Sequence, residues 1–150
     1  MVYLEIKKKI PLLNAARVRR FTQGVLRKLG KSHMDVSLVL TNDREIHRFN
    51  RKYLNHNRPT DVLAFNLDDG QRPAKLKAGA RHAVPLLGDI MISTERAKIY
   101  AKRFKNTFWN EVKLYIVHGI LHLLGYDDHK ASDRARMRRK EKEILKNVKG

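Results

Sequence analysis

The sequence predicts an α/β (α+β) fold, with a small mixed four-stranded sheet packed with about five helices, all in one domain over residues 1–150. Three observations carry this expectation. Short alternating or apolar runs are interspersed with stretches whose apolar residues recur every three to four positions, the periods that separate strand from helix. Strands and helices alternate through the first hundred residues, the order of an α/β sandwich. A chain of 150 residues, 42% of them hydrophobic, can bury one core, and neither a linker nor an internal repeat divides it.

Residues 2–7 set Val2, Leu4 and Ile6 against Tyr3, Glu5 and Lys7, which reads as a strand. Pro11 opens a helix where its missing N–H does no harm; Val18, Phe21, Val25 and Leu29 are its buried stripe and Gly30 its stop. Residues 36–40 alternate as a second strand, and Thr41 or Asn42 caps a helix that turns Ile46, Phe49 and Tyr53 inward. A turn over 55–59 leads to a short apolar strand over 61–66. Residues 68–85 hold Gly70, Pro73, Gly79 and Pro85 among Arg72, Lys75, Lys77 and Arg81, and read as a long basic loop or hairpin. A fourth strand spans 88–93. Thr94, Asn110 and Ser132 are the expected caps of the last three helices. The final helix turns Met137, Ile144, Leu145 and Val148 inward and its many Lys and Arg outward.

Lys and Arg total 33 against 15 Asp and Glu, a net charge of +18. A field of that size draws polyanions, with nucleic acid as the leading partner; a merely Lys/Arg-rich surface is the plain alternative. Cysteine is absent, which excludes disulfides and thiolate metal sites, so any metal rests on His, Asp or Glu. No apolar segment follows the early lysines and no apolar run is long enough for a bilayer. A cytoplasmic location without membrane association is therefore expected.

The densest chemistry lies in Val117-His118-Gly119-Ile120-Leu121-His122-Leu123-Leu124-Gly125-Tyr126-Asp127-Asp128-His129. Histidines four apart stand on one helix face with Cβ atoms about 5–6 Å apart, close enough to chelate one ion. Gly125 supplies the left-handed residue that ends the helix and turns the chain back beneath them. The third ligand is Asp128 or His129. The spacing His-x-x-x-His-x-x-Gly-x-x-ligand, that of a metzincin-like zinc helix, falls on Asp128 and favours it over His129. Imidazole and carboxylate both suit zinc, and three ligands leave a position for water, so one Zn2+ ion is the expected cofactor. Metzincin peptidases place their general base, a Glu, directly after the first histidine. Here that residue is Gly119, which argues against peptide hydrolysis. Two hydrogen-bonded core histidines are the structural alternative, and the Gly, Asp, Asp and His behind the pair count against it. Glu111, Tyr115, His118 and His122 share one helix stripe. Glu111 either orients a group under the site or serves the helix start as an acid. Leu114, Val117, Leu121 and Leu124 form the core stripe.

Residues 118–127 closely match the pattern His-Gly-x-Leu-His-Leu-x-Gly-Tyr-Asp-His. Three further features precede them in order: Pro59-Thr60-Asp61-Val62-Leu63-Ala64-Phe65 after Asn50, then Gly88-Asp89-Ile90-Met91-Ile92-Ser93, then Glu111. Through these the chain resembles the bacterial YbeY family over nearly its whole length. The resemblance implies a zinc-dependent, single-strand-specific endoribonuclease acting in ribosomal RNA (16S 3′-end) maturation and ribosome quality control. Its implied partners are single-stranded RNA or rRNA and ribosomal subunit proteins. The chain departs from the pattern twice. The family's third histidine falls on Asp128, and an arginine implied to help hold the phosphate is replaced by Leu54. Arg51 and Arg58 become candidate RNA contacts, with Thr60 and Asp89 on the cleft wall; Asp61 and Asp89, at strand edges, suit backbone capping better than catalysis. His118, His122, Asp128 and His129 are the expected catalytic set. His129 or Asp127 would relay the proton that Gly119 cannot, and the RNA would lie between the histidine helix and the strand after Thr60. The rival classes are a metallopeptidase-like hydrolase and a non-catalytic ribosome-assembly factor with structural zinc.

Overall fold

A strand covered on both faces must carry apolar residues at odd and even positions alike. Strands β2 (Asp35–Thr41) and β4 (Leu86–Ser93) do so. The computed structural model describes residues 1–7, 13–53, 61–66 and 86–150. In it, β2 and β4 pair in parallel at the centre of the sheet, with Leu38 opposite Ile90 and Leu40 opposite Ile92. Strand β1 (Val2–Ile6) flanks β2 in parallel, and β3 (Val62–Asn66) flanks β4 antiparallel. The order is β1-β2-β4-β3, the mixed four-stranded sheet expected.

Five helices occur among the described residues: α1 (Ala15–Lys28), α2 (Asp43–Tyr53), α3 (Thr94–Arg103), α4 (Phe108–Leu123) and α5 (Ala131–Asn147). Helix α1 is the crossover that two parallel neighbours require. Side-chain alternation sorts the two faces of the sheet. Val36, Leu38, Leu40, Ile90 and Ile92 join Phe21, Val25, Ile116, Val117, Ile120, Met137 and Ile144 in the larger core. Val39, Leu63, Phe65 and Met91 meet Ile46 and Phe49 of α2 in a smaller one. Helix α4 lies close on β4. A Cβ on Gly119 would come 2.6 Å from Ile90 Cγ2, so the position after the first histidine faces the sheet and has no room for a side chain.

Several helix starts differ from expectation. Asn14 caps α1, accepting the Arg17 N–H, while Pro11 lies outside the described residues. Asn42 rather than Thr41 caps α2: its Oδ1 accepts the Glu45 N–H at 2.9 Å. Ser93 caps α3, because the Thr94 hydroxyl donates instead to the Thr41 carbonyl and ties the helix to β2. Thr107 caps α4; Asn110 sits inside the first turn, where its side chain donates to Asn106. The earlier start lets Trp109 pack edge-on against Phe21, ring centroids 5.8 Å apart. Helix α5 begins before Ser132 with no side-chain cap. The expected turn over 55–59 and the basic loop over 68–85 fall outside the described residues. No described helix is long and apolar enough to cross a membrane.

Candidate metal centre

Helix α4 ends in a Schellman turn. Gly125 takes φ +94, its N–H reaching the His122 carbonyl and that of Tyr126 reaching Leu121, both at 3.0 Å. The turn also leaves the Tyr126 carbonyl 3.0 Å from His122 Nδ1. The following residues are tied by Asp127, whose Oδ1 accepts the N–H groups of Asp128 (2.7 Å) and His129 (3.2 Å). These two bonds hold the Asp127 carboxyl below its ordinary pKa, against the opposing effect of burial. Arg134 closes the loop from α5 by donating to the His129 carbonyl at 2.8 Å.

This backbone carries Asp128 back to the histidines. Its Oδ2 lies 3.6 Å from His118 Nε2 and 3.4 Å from His122 Nε2, and the two Nε2 atoms are 2.9 Å apart. The rings meet edge to face, with centroids 4.5 Å apart. Both Nδ1 atoms face groups that only accept: Glu141 Oε1 at 2.8 Å from His118, and the Tyr126 carbonyl from His122. Each Nδ1 must therefore carry the proton. In the neutral imidazoles this leaves both Nε2 lone pairs aimed at one point together with the Asp128 carboxylate. Three acceptors converging without a donor repel one another unless a cation lies between them. The donor–donor edge of a tetrahedral zinc site is about 3.3 Å, from metal–ligand bonds of about 2.0–2.1 Å. The two Asp128 edges fit that value, and the histidine edge is somewhat short. His118, His122 and Asp128 thus form a group that could hold a metal ion.

The titration of the pair reflects its surroundings. Burial pushes His118 down, but the hydrogen bond and charge of Glu141 outweigh it, and its pKa stands above the ordinary histidine value. Burial and the neighbouring His118 lower His122.

The other expected site residues fall elsewhere. His129 does not join the two histidines: its side chain is 82% exposed and its Nε2 faces Asp127 at 3.5 Å. Arg51 is exposed in the last turn of α2 and is not one of the described residues that line the cavity beside His118. Arg58, Thr60 and Leu54 lie outside the described residues. Asp89 is not at a strand edge; it is fully buried within β4, opposite Phe65 and Ser37. Asp61, directly before β3, does line the cavity, together with residues of α4 and α5. Glu111 serves the helix start, accepting from the Asn106 amide at 3.1 Å. Of the expected core stripe, Val117 and Leu121 are fully buried, while Leu114 and Leu124 are half-buried.

Glu141, the partner of His118, went unread in the sequence. Its signal is a lone acid on the inward face of α5 between Met137 and Ile144, a buried place that a carboxylate occupies only with a partner. A carboxylate on the far nitrogen of a metal-binding histidine fixes its tautomer and raises its basicity.

The family described as Endoribonuclease YbeY matches residues 4–149. The chain is 43% identical over 114 residues to a protein of Heliobacterium modesticaldum named Endoribonuclease YbeY, covering 75% of this chain and 69% of that one. It is 34% identical over 135 residues to a Geobacter metallireducens protein of the same name, covering 89% and 85%. The solution structure of TM1509 from Thermotoga maritima superposes with a TM-score of 0.64 at 24% identity, covering 97% of this chain and 87% of that one, and so shares its fold. A match over nearly the whole chain means that this protein belongs to the YbeY endoribonuclease family.

Proposed function

We propose that residues 1–150 act as a single zinc-dependent domain that cuts single-stranded RNA. Family membership makes hydrolysis of an RNA phosphodiester the reaction to be explained. The observation that carries the metal is the convergence of three lone-pair donors, His118 Nε2, His122 Nε2 and Asp128 Oδ2, with both imidazoles held from behind. Zinc, when bound, supplies Lewis acidity towards a phosphoryl oxygen and a water. Around it, Asp128 offsets part of the ion's charge, and Glu141 and the Tyr126 carbonyl hold both rings with Nε2 forward. His129, exposed on the loop that carries Asp128 and with the Asp127 carboxylate beside it, is the proposed proton relay, since the position after His118 faces Ile90. The field of +18 gathers the strand. A single strand suits a half-buried centre because its phosphate can be turned into the cavity, which a duplex resists.

The proposed setting is the cytoplasm, the proposed substrate ribosomal RNA near the 16S 3′ end, and the proposed wider role ribosome quality control alongside ribosomal subunit proteins. A purely structural zinc would need a fourth protein ligand, and His129 groups with Asp127 and Asp128 on the exposed loop rather than with the two histidines. The test is metal analysis together with cleavage of one labelled RNA, single-stranded and annealed. Wild type should carry about one zinc and cut the single strand, and chelation should abolish cutting. A His122→Ala protein with full, chelator-resistant activity would overturn the proposal.

A further inference from the structure

A cavity of about 240 Å3 opens beside the metal centre, lined by His118, Asp128 and Glu141 together with Asp61, Tyr115 and Arg138. Two of these groups have no task within the described protein. The Tyr115 hydroxyl is buried and makes no hydrogen bond, on a residue only 4% exposed. Such a group destabilises the fold until a partner arrives. Burial, then the charges of Asp61 and Glu111, push its pKa up, so it remains a donor throughout the neutral range. Arg138 is exposed on α5, and no hydrogen bond or ion pair among the described residues ties its guanidinium. Arg134, one turn earlier on the same wall, is committed to the carbonyls of Asp128 and His129.

The charges of the wall select the ligand. Asp61, Asp128 and Glu141 are acidic. A dication at the histidines is balanced by Asp128 and Glu141, so the acids beside the ion do not close the cavity to an anion. Among the described residues, Arg138 brings to this cavity an uncommitted planar guanidinium, which matches phosphate oxygens. We propose that the Tyr115 hydroxyl and the Arg138 guanidinium form a phosphodiester subsite beside the metal centre, each donating to an oxygen of the strand near the bond that is cut. The subsite rests on the endoribonuclease proposal above.

Tyr115→Phe removes one oxygen and little volume. The free protein should melt about 1–4 °C higher, because an unpaired buried polar atom is gone. Its kcat/KM on a labelled single-stranded RNA should nonetheless fall about tenfold. A merely structural hydroxyl would move the two in the same direction. Arg138→Ala should lose about 10- to 100-fold in kcat/KM with zinc content unchanged, and Arg138→Lys should recover part of it. Arg139→Ala, exposed on the same helix and off the cavity, should stay within about threefold. Calorimetric titration of inorganic phosphate into the zinc-loaded proteins provides a readout independent of cleavage. Weaker phosphate binding in both variants with no RNA cleavage by wild type would keep the subsite and overturn the endoribonuclease proposal. Wild-type kcat/KM and phosphate affinity in Tyr115→Phe and Arg138→Ala, or no phosphate binding by wild type, would overturn the subsite.

Discussion

Among the described residues, two groups of potential metal ligands share Asp128, and they are built in opposite ways. One joins it to His118 and His122, half-buried on a helix; the other joins it to Asp127 and His129 on the exposed loop that follows. In the first, each ring is fixed from behind, His118 by a carboxylate of α5 and His122 by the carbonyl of the turn. In the second, Asp127 already holds two backbone N–H groups, and His129 is 82% exposed. Proximity is common to both. What differs is whether the atom opposite the ligand atom has a partner, and that determines how much entropy an ion must remove on binding.

The sharpest way to break this comparison is Asp128→Ala, which belongs to both groups. Zinc should be lost and activity should fall by about 10³-fold or more, measured by metal analysis and RNA cleavage. Glu141→Gln keeps the shape but removes the charge behind His118. Metal affinity should fall about 10- to 100-fold, read by competition with a chelating dye. His129→Ala should leave zinc content untouched while lowering kcat about tenfold, as expected of a proton relay and not of a ligand; loss of zinc would move the site onto the loop. Gly125→Ala should have the smallest effect. Nothing crowds a Cβ there, so its cost is the positive φ alone, about 1–2 kcal/mol. That should lower the melting temperature by about 2–8 °C.

The strands were legible because alternation is a local pattern, and the structure adds only which face meets which core. The histidine pair was legible for the same reason: four residues along one helix is a short-range geometry. The count past Gly125 pointed to Asp128, and Asp128 is the residue the turn brings to the histidines. Caps were less legible. Thr107 lies three residues before the expected Asn110, and both types cap helices, so only the packing of Trp109 on Phe21 separates them. Glu141 and Tyr115 could not be read locally. A carboxylate 23 residues from its histidine on a helix full of charge looks like surface, and a tyrosine on an apolar helix looks like core. Asp89 was placed at a strand edge because polar residues usually sit there; β4 instead buries it fully between two neighbours.

The contact between Glu141 and His118 spans two helices, and so gives the centre a thermodynamic linkage. Met137 and Ile144 anchor α5 in the main core on either side of Glu141, while Arg136, Arg139, Lys142 and Lys146 are exposed along the same helix. Whatever holds α5 more firmly against α4 also holds the imidazole more firmly in its metal-ready tautomer. Reciprocity requires the converse: an ion on His118 must raise the free energy needed to lift α5 away. A polyanion lying along that basic helix and an ion beneath it would then report on each other without touching.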